Sequence, residues 1–208
     1  MLKEVLPAIR ATLVLAVFTG LLFPLAITAL SKVLFDHQAN GSLVFVQSKL
    51  IGSELLGQSF SKPEYFHSRP SAAGGGYAGE ASGGTNLGPT SKKLLDGDDS
   101  FKGIGALVKE YRTENHLDES QKVPADAVCR SASGLDPHVS PANALLQVER
   151  VASARKMPPE RVRQFLNKFI EERTIGVFGE PRINVLKLNL ALDSEQTQGD
   201  RVAKQDKE

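Results

Sequence analysis

Tryptophan is missing from this 208-residue chain, and cysteine occurs once, at Cys129. A single thiol cannot form an internal disulfide. It also lies too far from the apolar N-terminal run to carry a lipid anchor beside the membrane, so Cys129 is expected to pack as a small buried hydrophobe. The four histidines are scattered, which leaves no Cys/His spacing for zinc. Neither sign of charge prevails, with 25 Lys and Arg against 24 Asp and Glu. Without a basic stripe or interleaved aromatics, nucleic acid is excluded as a partner. No nucleophile elbow G-x-S-x-G occurs. The glycine-rich stretch around Ser82-Gly83-Gly84 lacks both the Gly-Lys-Ser/Thr and the preceding apolar strand of a phosphate loop.

One long apolar run is present. Between Arg10 and Lys32 there is no charged residue, and 11–31 is dominated by Leu, Ala, Val, Ile and Phe. Roughly 20 such residues cross a bilayer core about 30 Å thick as one helix. The run is longer than the hydrophobic region of a signal peptide, and Ala26-Ile27-Thr28-Ala29 is a poor cleavage site, so an uncleaved anchor is expected. Pro24 predicts a kink inside the span. Thr19, Gly20, Ala26 and Ala29 are small enough to admit a neighbouring helix. Lys3 and Arg10 before the span favour a cytoplasmic segment 1–10 and an exported remainder. Everything after Lys32 is too polar to cross again, so partners are expected among proteins and lipid at the membrane.

Residues 32–192 are expected to form one mixed α+β domain with a small sheet. Ser42–Gln58 reads as two short strands, although Ser48-Lys49 is weak turn chemistry. Residues 71–90, rich in Gly, Ala and Ser, read as a long loop. Helical spacing runs from Ser91 to His116, weakened by Gly97, Gly103 and Gly105. A short strand is expected around Ala127–Arg130. Ser140 and Pro141 are an N-cap and first helical residue, opening a helix to about Lys156 that buries Ala144, Leu145, Val148 and Val151. Pro158-Pro159 opens another, to Thr174. Ile183–Leu192 alternates, with Leu186, Leu188, Leu190 and Leu192 on one side, and reads as a half-buried strand. The polar segment 193–208 reads as a disordered tail.

Ser131, Ser133, Asp136, His138 and Ser140 crowd one loop and include the residue types of a nucleophilic triad. Triads are assembled from distant segments, so these residues are expected to fix a turn and cap a helix instead. The alternative is a free-standing, membrane-anchored exported enzyme.

Several motifs occur in a fixed order: Tyr65-Phe66-His67-Ser68-Arg69-Pro70-Ser71-Ala72, Ser82-Gly83-Gly84-Thr85-Asn86-Leu87-Gly88-Pro89, Ser131 to Pro141, Gln147-Val148-Glu149-Arg150-Val151-Ala152-Ser153-Ala154-Arg155, and Gly179-Glu180-Pro181-Arg182-Ile183-Asn184-Val185-Leu186-Lys187-Leu188-Asn189. In these the chain resembles the C-subunit family of the Kdp-type potassium-transporting ATPases of bacteria. The resemblance implies a single-span, non-catalytic accessory subunit in the plasma (inner) membrane. Its partners would be a channel-like potassium-translocating subunit and a P-type ATPase subunit. The family's Asp-Lys-Thr-Gly phosphorylation motif and any selectivity-filter sequence are absent here, so ATP hydrolysis and ion selection are expected of those partners. The resemblance also implies a catalytic-chaperone role that raises ATP affinity, with Gln147 at the position of a nucleotide contact. No firmly bound cofactor is expected. Tyr65, Arg69, Asp136 and His138 are the residues expected to shape the partner-contact surface.

Overall fold

The computed structural model describes residues 2–205, and the chain divides between Ser53 and Glu54 into two compact units. Met1 and 206–208, parts of the expected N-terminal segment and tail, lie outside the described residues.

In the first unit, α1 (Leu2–Val17), a π-helical turn (Phe18–Leu22) and α2 (Phe23–Leu34) form a continuous apolar helix. Over Lys3–Leu34 it is long and apolar enough to cross a membrane. The π turn ends at Leu22, just ahead of Pro24, where the kink is expected. A one-turn helix α3 (Asp36–Ala39) leads to an antiparallel hairpin of β1 (Leu43–Val46) and β2 (Lys49–Ser53). Its two turn residues, Gln47 and Ser48, sit at φ 49° and 64°. Positive φ at both positions matches the right-handed twist of a two-residue hairpin. The two expected strands are therefore present, the second ending at Ser53 and the turn one residue earlier than Ser48-Lys49.

In the second unit no helix or strand forms before Ser91. Then come α4 (Lys92–Asp96), α5 (Ile104–Glu114), α6 (Ala125–Val128), β3 (His138–Val139), α7 (Pro141–Arg155), α8 (Pro159–Lys168), β4 (Ile170–Glu171), β5 (Arg182–Asn184) and α9 (Val185–Gln205). The sheet is antiparallel in the order β3-β5-β4, pairing Val139 and Ile170 with Ile183 on its two sides. The fold is α+β, as expected.

Several expectations are corrected. The run from Ser91 is two helices, because the chain doubles back at Gly97 and Gly103, where an added Cβ would meet backbone 2.3–2.6 Å away. The strand expected at Ala127–Arg130 is the end of α6 and its cap, with Ala127 and Val128 buried. The helix expected to reach Thr174 ends at Lys168, and Ile170 joins the sheet. Most substantially, the strand expected over Ile183–Leu192 stops at Asn184. There the Asn184 side chain accepts the Lys187 N–H at 3.1 Å and starts α9. Val185, Leu188, Asn189 and Leu192 are buried at helical spacing, so leucines at alternate positions also served a 3.6-residue period. The expected boundary of the folded domain at 192 moves with it, since Asp193 is bonded to Arg155 and Tyr65 and helical geometry continues to Gln205.

The main core gathers Phe66, Val148, Val151, Leu166, Ile183 and Leu188, with α7, α8 and α9 contributing one face each. Tyr111, Ala127 and Val128 form a smaller cluster, against which Cys129 packs half-buried. Ser140 caps α7 as expected, accepting the Asn143 N–H at 3.1 Å ahead of Pro141. Leu145, however, is 43% exposed. The buried face of α7 instead carries Asn143, Gln147, Arg150 and Arg155 beside its apolar residues.

Candidate functional site

The polar residues of α7 face the segment Pro63–His67, which has no regular structure and therefore leaves backbone groups to be satisfied by side chains. Arg150 is the centre. Its Nη1 donates to the carbonyls of Pro63 (2.7 Å) and Tyr65 (2.8 Å), its Nε to Asn115 Oδ1 (3.0 Å) and its Nη2 to Gln147 Oε1 (2.7 Å). Burial pushes the Arg150 guanidinium below its ordinary range, and the nearby Glu114 carboxylate opposes that shift. His67 stands between the two, its Nδ1 2.9 Å from Glu114. The hydrogen bond with His67 in turn lowers the Glu114 carboxyl.

Gln147, 1% exposed, uses its full hydrogen-bonding capacity. Its Oε1 accepts the His67 N–H at 2.7 Å as well as Arg150, and its Nε2 donates to Asn143 Oδ1 (2.9 Å) and the His67 carbonyl (3.3 Å). Asn143 Oδ1 also accepts the Tyr111 hydroxyl, and its amide donates to Asp126, which holds Ser140 through both the backbone N–H and the hydroxyl. Asn189 on α9 clamps the same segment from the other side, accepting from Phe66 N at 2.8 Å and donating to Phe66 O at 3.0 Å.

Arg69, Asp136 and His138 come together in a groove of about 510 Å³ that Cys129, Glu180 and Arg182 also line. Arg69 Nη1 lies 2.8 Å from Asp136 Oδ2, and His138 approaches Asp136 Oδ1 through its backbone N–H (3.0 Å) and Nδ1 (3.3 Å). Burial alone would raise the Asp136 carboxyl. The hydrogen bonds from His138 and the Arg69 guanidinium outweigh it and bring the carboxyl to about 2. Arg182 and Glu171 form an ion pair at 3.0 Å beside it. Tyr65 is elsewhere: its hydroxyl donates to Asp193, Arg155 lies over its ring at 5.2 Å, and Arg155 bonds Asp193 at 2.8 Å. The surface residues singled out in the sequence therefore occupy two places.

The crowded loop does what turn chemistry requires. Ser133 Oγ accepts the Leu135 N–H, while the Ser140 hydroxyl donates to Asp126, so each is spent on structure. The glycine-rich stretch is pinned against this loop. Ser71 Oγ donates to Gly134 O and accepts from Ala73 and Tyr77 N–H groups, and Gly83 N–H donates to Ser133 O. Gly134, at φ 70°, has Gly83 O 2.6 Å from where a Cβ would stand.

Asn143, Arg150, Arg155 and Asn189 escaped the sequence reading. The signal was available: Asn143, Gln147 and Arg150 recur at i, i+4 and i+7, on the stripe that also carries Ala144, Val148 and Val151.

The arrangement is a scaffold held by charge-assisted hydrogen bonds, with an ion-paired groove on its surface. The family model described as the K+-transporting ATPase, c chain, matches residues 5–194. The chain belongs to the KdpC family. Relatives named potassium-transporting ATPase KdpC subunit are 46% identical in Koribacter versatilis (94% of this chain, 97% of the relative) and 50% identical in Myxococcus xanthus (93% and 89%). The relative in Rhodopseudomonas palustris is 47% identical, over 93% of this chain and 98% of its own length. KdpC membership spans both units, the apolar helix and the domain that holds the groove.

Proposed function

We propose that the chain is a non-catalytic accessory subunit of an ATP-driven potassium-import complex in the bacterial plasma membrane. The Lys3–Leu34 helix anchors it with the N-terminus in the cytoplasm, and the domain after Ser53 is exported. There the domain docks on the channel-like subunit and helps hold the complex together. The observation that carries this reading is the match to a subunit family over nearly the whole chain, together with one helix suited to a membrane.

Gln147 works in this domain as a strut. To contact nucleotide it would have to give up its bonds to His67, Asn143 and Arg150, and an exported domain does not meet cytoplasmic ATP. The groove of Arg69, Asp136 and His138 is the proposed docking face, with Arg182 on its exposed rim. Rim charges tune association more than folding. Arg182→Gln is therefore expected to lower the yield of large polytopic subunits co-purified with a tagged chain in mild detergent, while leaving the melting temperature within about 2 °C, since the pair it loses with Glu171 is exposed. Undiminished co-purification overturns the groove as the docking face. Absence of any polytopic partner from the wild-type preparation favours the free-standing enzyme.

A further inference from the structure

The carbonyl of Thr19 has no donor at either of the positions that a helix would supply. In α geometry it would receive the N–H of Phe23, but that N–H closes the π turn on Phe18 O. In the i→i+5 pattern it would receive the N–H of residue 24, which is Pro24 and has none. The Thr19 hydroxyl is occupied in its own right, donating to Leu15 O at 2.8 Å.

If the helix spans the membrane, as the proposed function holds, Thr19 lies about 12 Å along the axis from Ala11 and about 18 Å from Ser31 at 1.5 Å per residue. At that depth neither headgroups nor bulk water offer a donor, and an unsatisfied backbone group is strongly unfavourable. The helix is also open here, since a Cβ at Gly20 would meet nothing within 4 Å.

We propose that the Thr19 carbonyl accepts a hydrogen bond from a hydroxyl or amide side chain on a transmembrane segment of a different subunit, which packs over Gly20. A second copy of this chain does not fit. Two copies share one orientation and present the same residues at the same depth. From Leu13 to Ile27 the one polar side chain is Thr19, whose hydroxyl is already committed. Lipid tails carry no donor.

The test uses the tagged full-length chain, expressed with its complex and extracted from membranes in mild detergent. Pro24→Ala restores an N–H at residue 24, giving the helix an internal donor in place of the external one. Retention of polytopic subunits is expected to fall about 3- to 20-fold, the range of single interhelical hydrogen bonds. Thr19→Val, which keeps the carbonyl, is expected to retain them as the wild type does. Phe23→p-benzoylphenylalanine is expected to give a photo-adduct with a polytopic subunit. Full retention with Pro24→Ala, loss with Thr19→Val, or an adduct only with a second copy of the chain overturns the proposal. Release of the wild-type chain by alkaline carbonate overturns the spanning reading beneath it. A carbonate-resistant chain with full retention in Pro24→Ala defeats the hydrogen bond alone.

Discussion

A buried arginine is tolerated only where its charge and its donors are met, and Arg150 meets that condition through two carbonyls, two side-chain amides and the nearby Glu114 carboxylate. What it gains for the fold is order in Pro63–His67, a segment with no ladder of its own. Gln147 is the second fastening of that segment, gripping His67 at both backbone N–H and C=O. Truncating Gln147 to alanine leaves the His67 N–H and an Arg150 Nη2 unpaired inside the protein. The Gln147→Ala chain is expected to lose about 2–4 kcal/mol of stability in urea or thermal melts. The ATP concentration dependence of the assembled complex is expected to be unchanged. An altered ATP dependence with wild-type melting would assign Gln147 to the nucleotide instead.

At the scale of elements, the loops are as tightly specified as the helices. The Gly134 turn carries the glycine-rich stretch on one side and Asp136 on the other, where Arg69 reaches across to close the groove. The Asp136 carboxyl lies at about 2, below its ordinary 3.8. A depressed carboxyl contributes stability that is complete above the ordinary value and lost as pH falls through the lowered one. Glu114 is shifted in the same direction by His67. Denaturation between about pH 4 and about pH 2 is therefore expected to steepen with these groups, and Asp136→Asn to flatten that limb. An acid limb identical in Asp136→Asn and wild type would show that the pair with Arg69 contributes nothing.

Elements whose ends are written locally could be read from the sequence: Ser140-Pro141 starts α7 where expected, and the β1–β2 strands lie within the span expected for them. Elements decided by distant partners could not. Leucines at every second position fit a strand, and the Asn184 cap and the buried Asn189, which bonds Phe66 across the fold, turn them into α9. The candidate site divides in the same way. Asp136 and His138 are neighbours in one turn and were legible together. The α7 network was legible only as a polar stripe at i, i+4 and i+7, and its partners were not, because Gln147 and Arg150 find them some 80 residues upstream, in a segment with no periodicity to announce it.

Taken whole, the chain is two compact units, and the proposed function gives them different solvents. The first is an apolar helix followed by α3 and the β1–β2 hairpin, and no residue of Lys3–Leu34 is buried, as suits a lipid or protein environment. The second is an α+β domain with its own core. KdpC-family membership covers both, and the proposed role requires them on opposite terms: the helix retained in the bilayer, the domain exported. The most direct test places one epitope tag at the N-terminus and another at the C-terminus of the full chain and treats intact spheroplasts with protease. If the helix is an uncleaved anchor with the domain outside, the C-terminal tag is removed in intact spheroplasts. The N-terminal tag stays membrane-bound and is cut only after lysis. Loss of the N-terminal tag from the mature chain, or protection of the C-terminal tag until lysis, contradicts it.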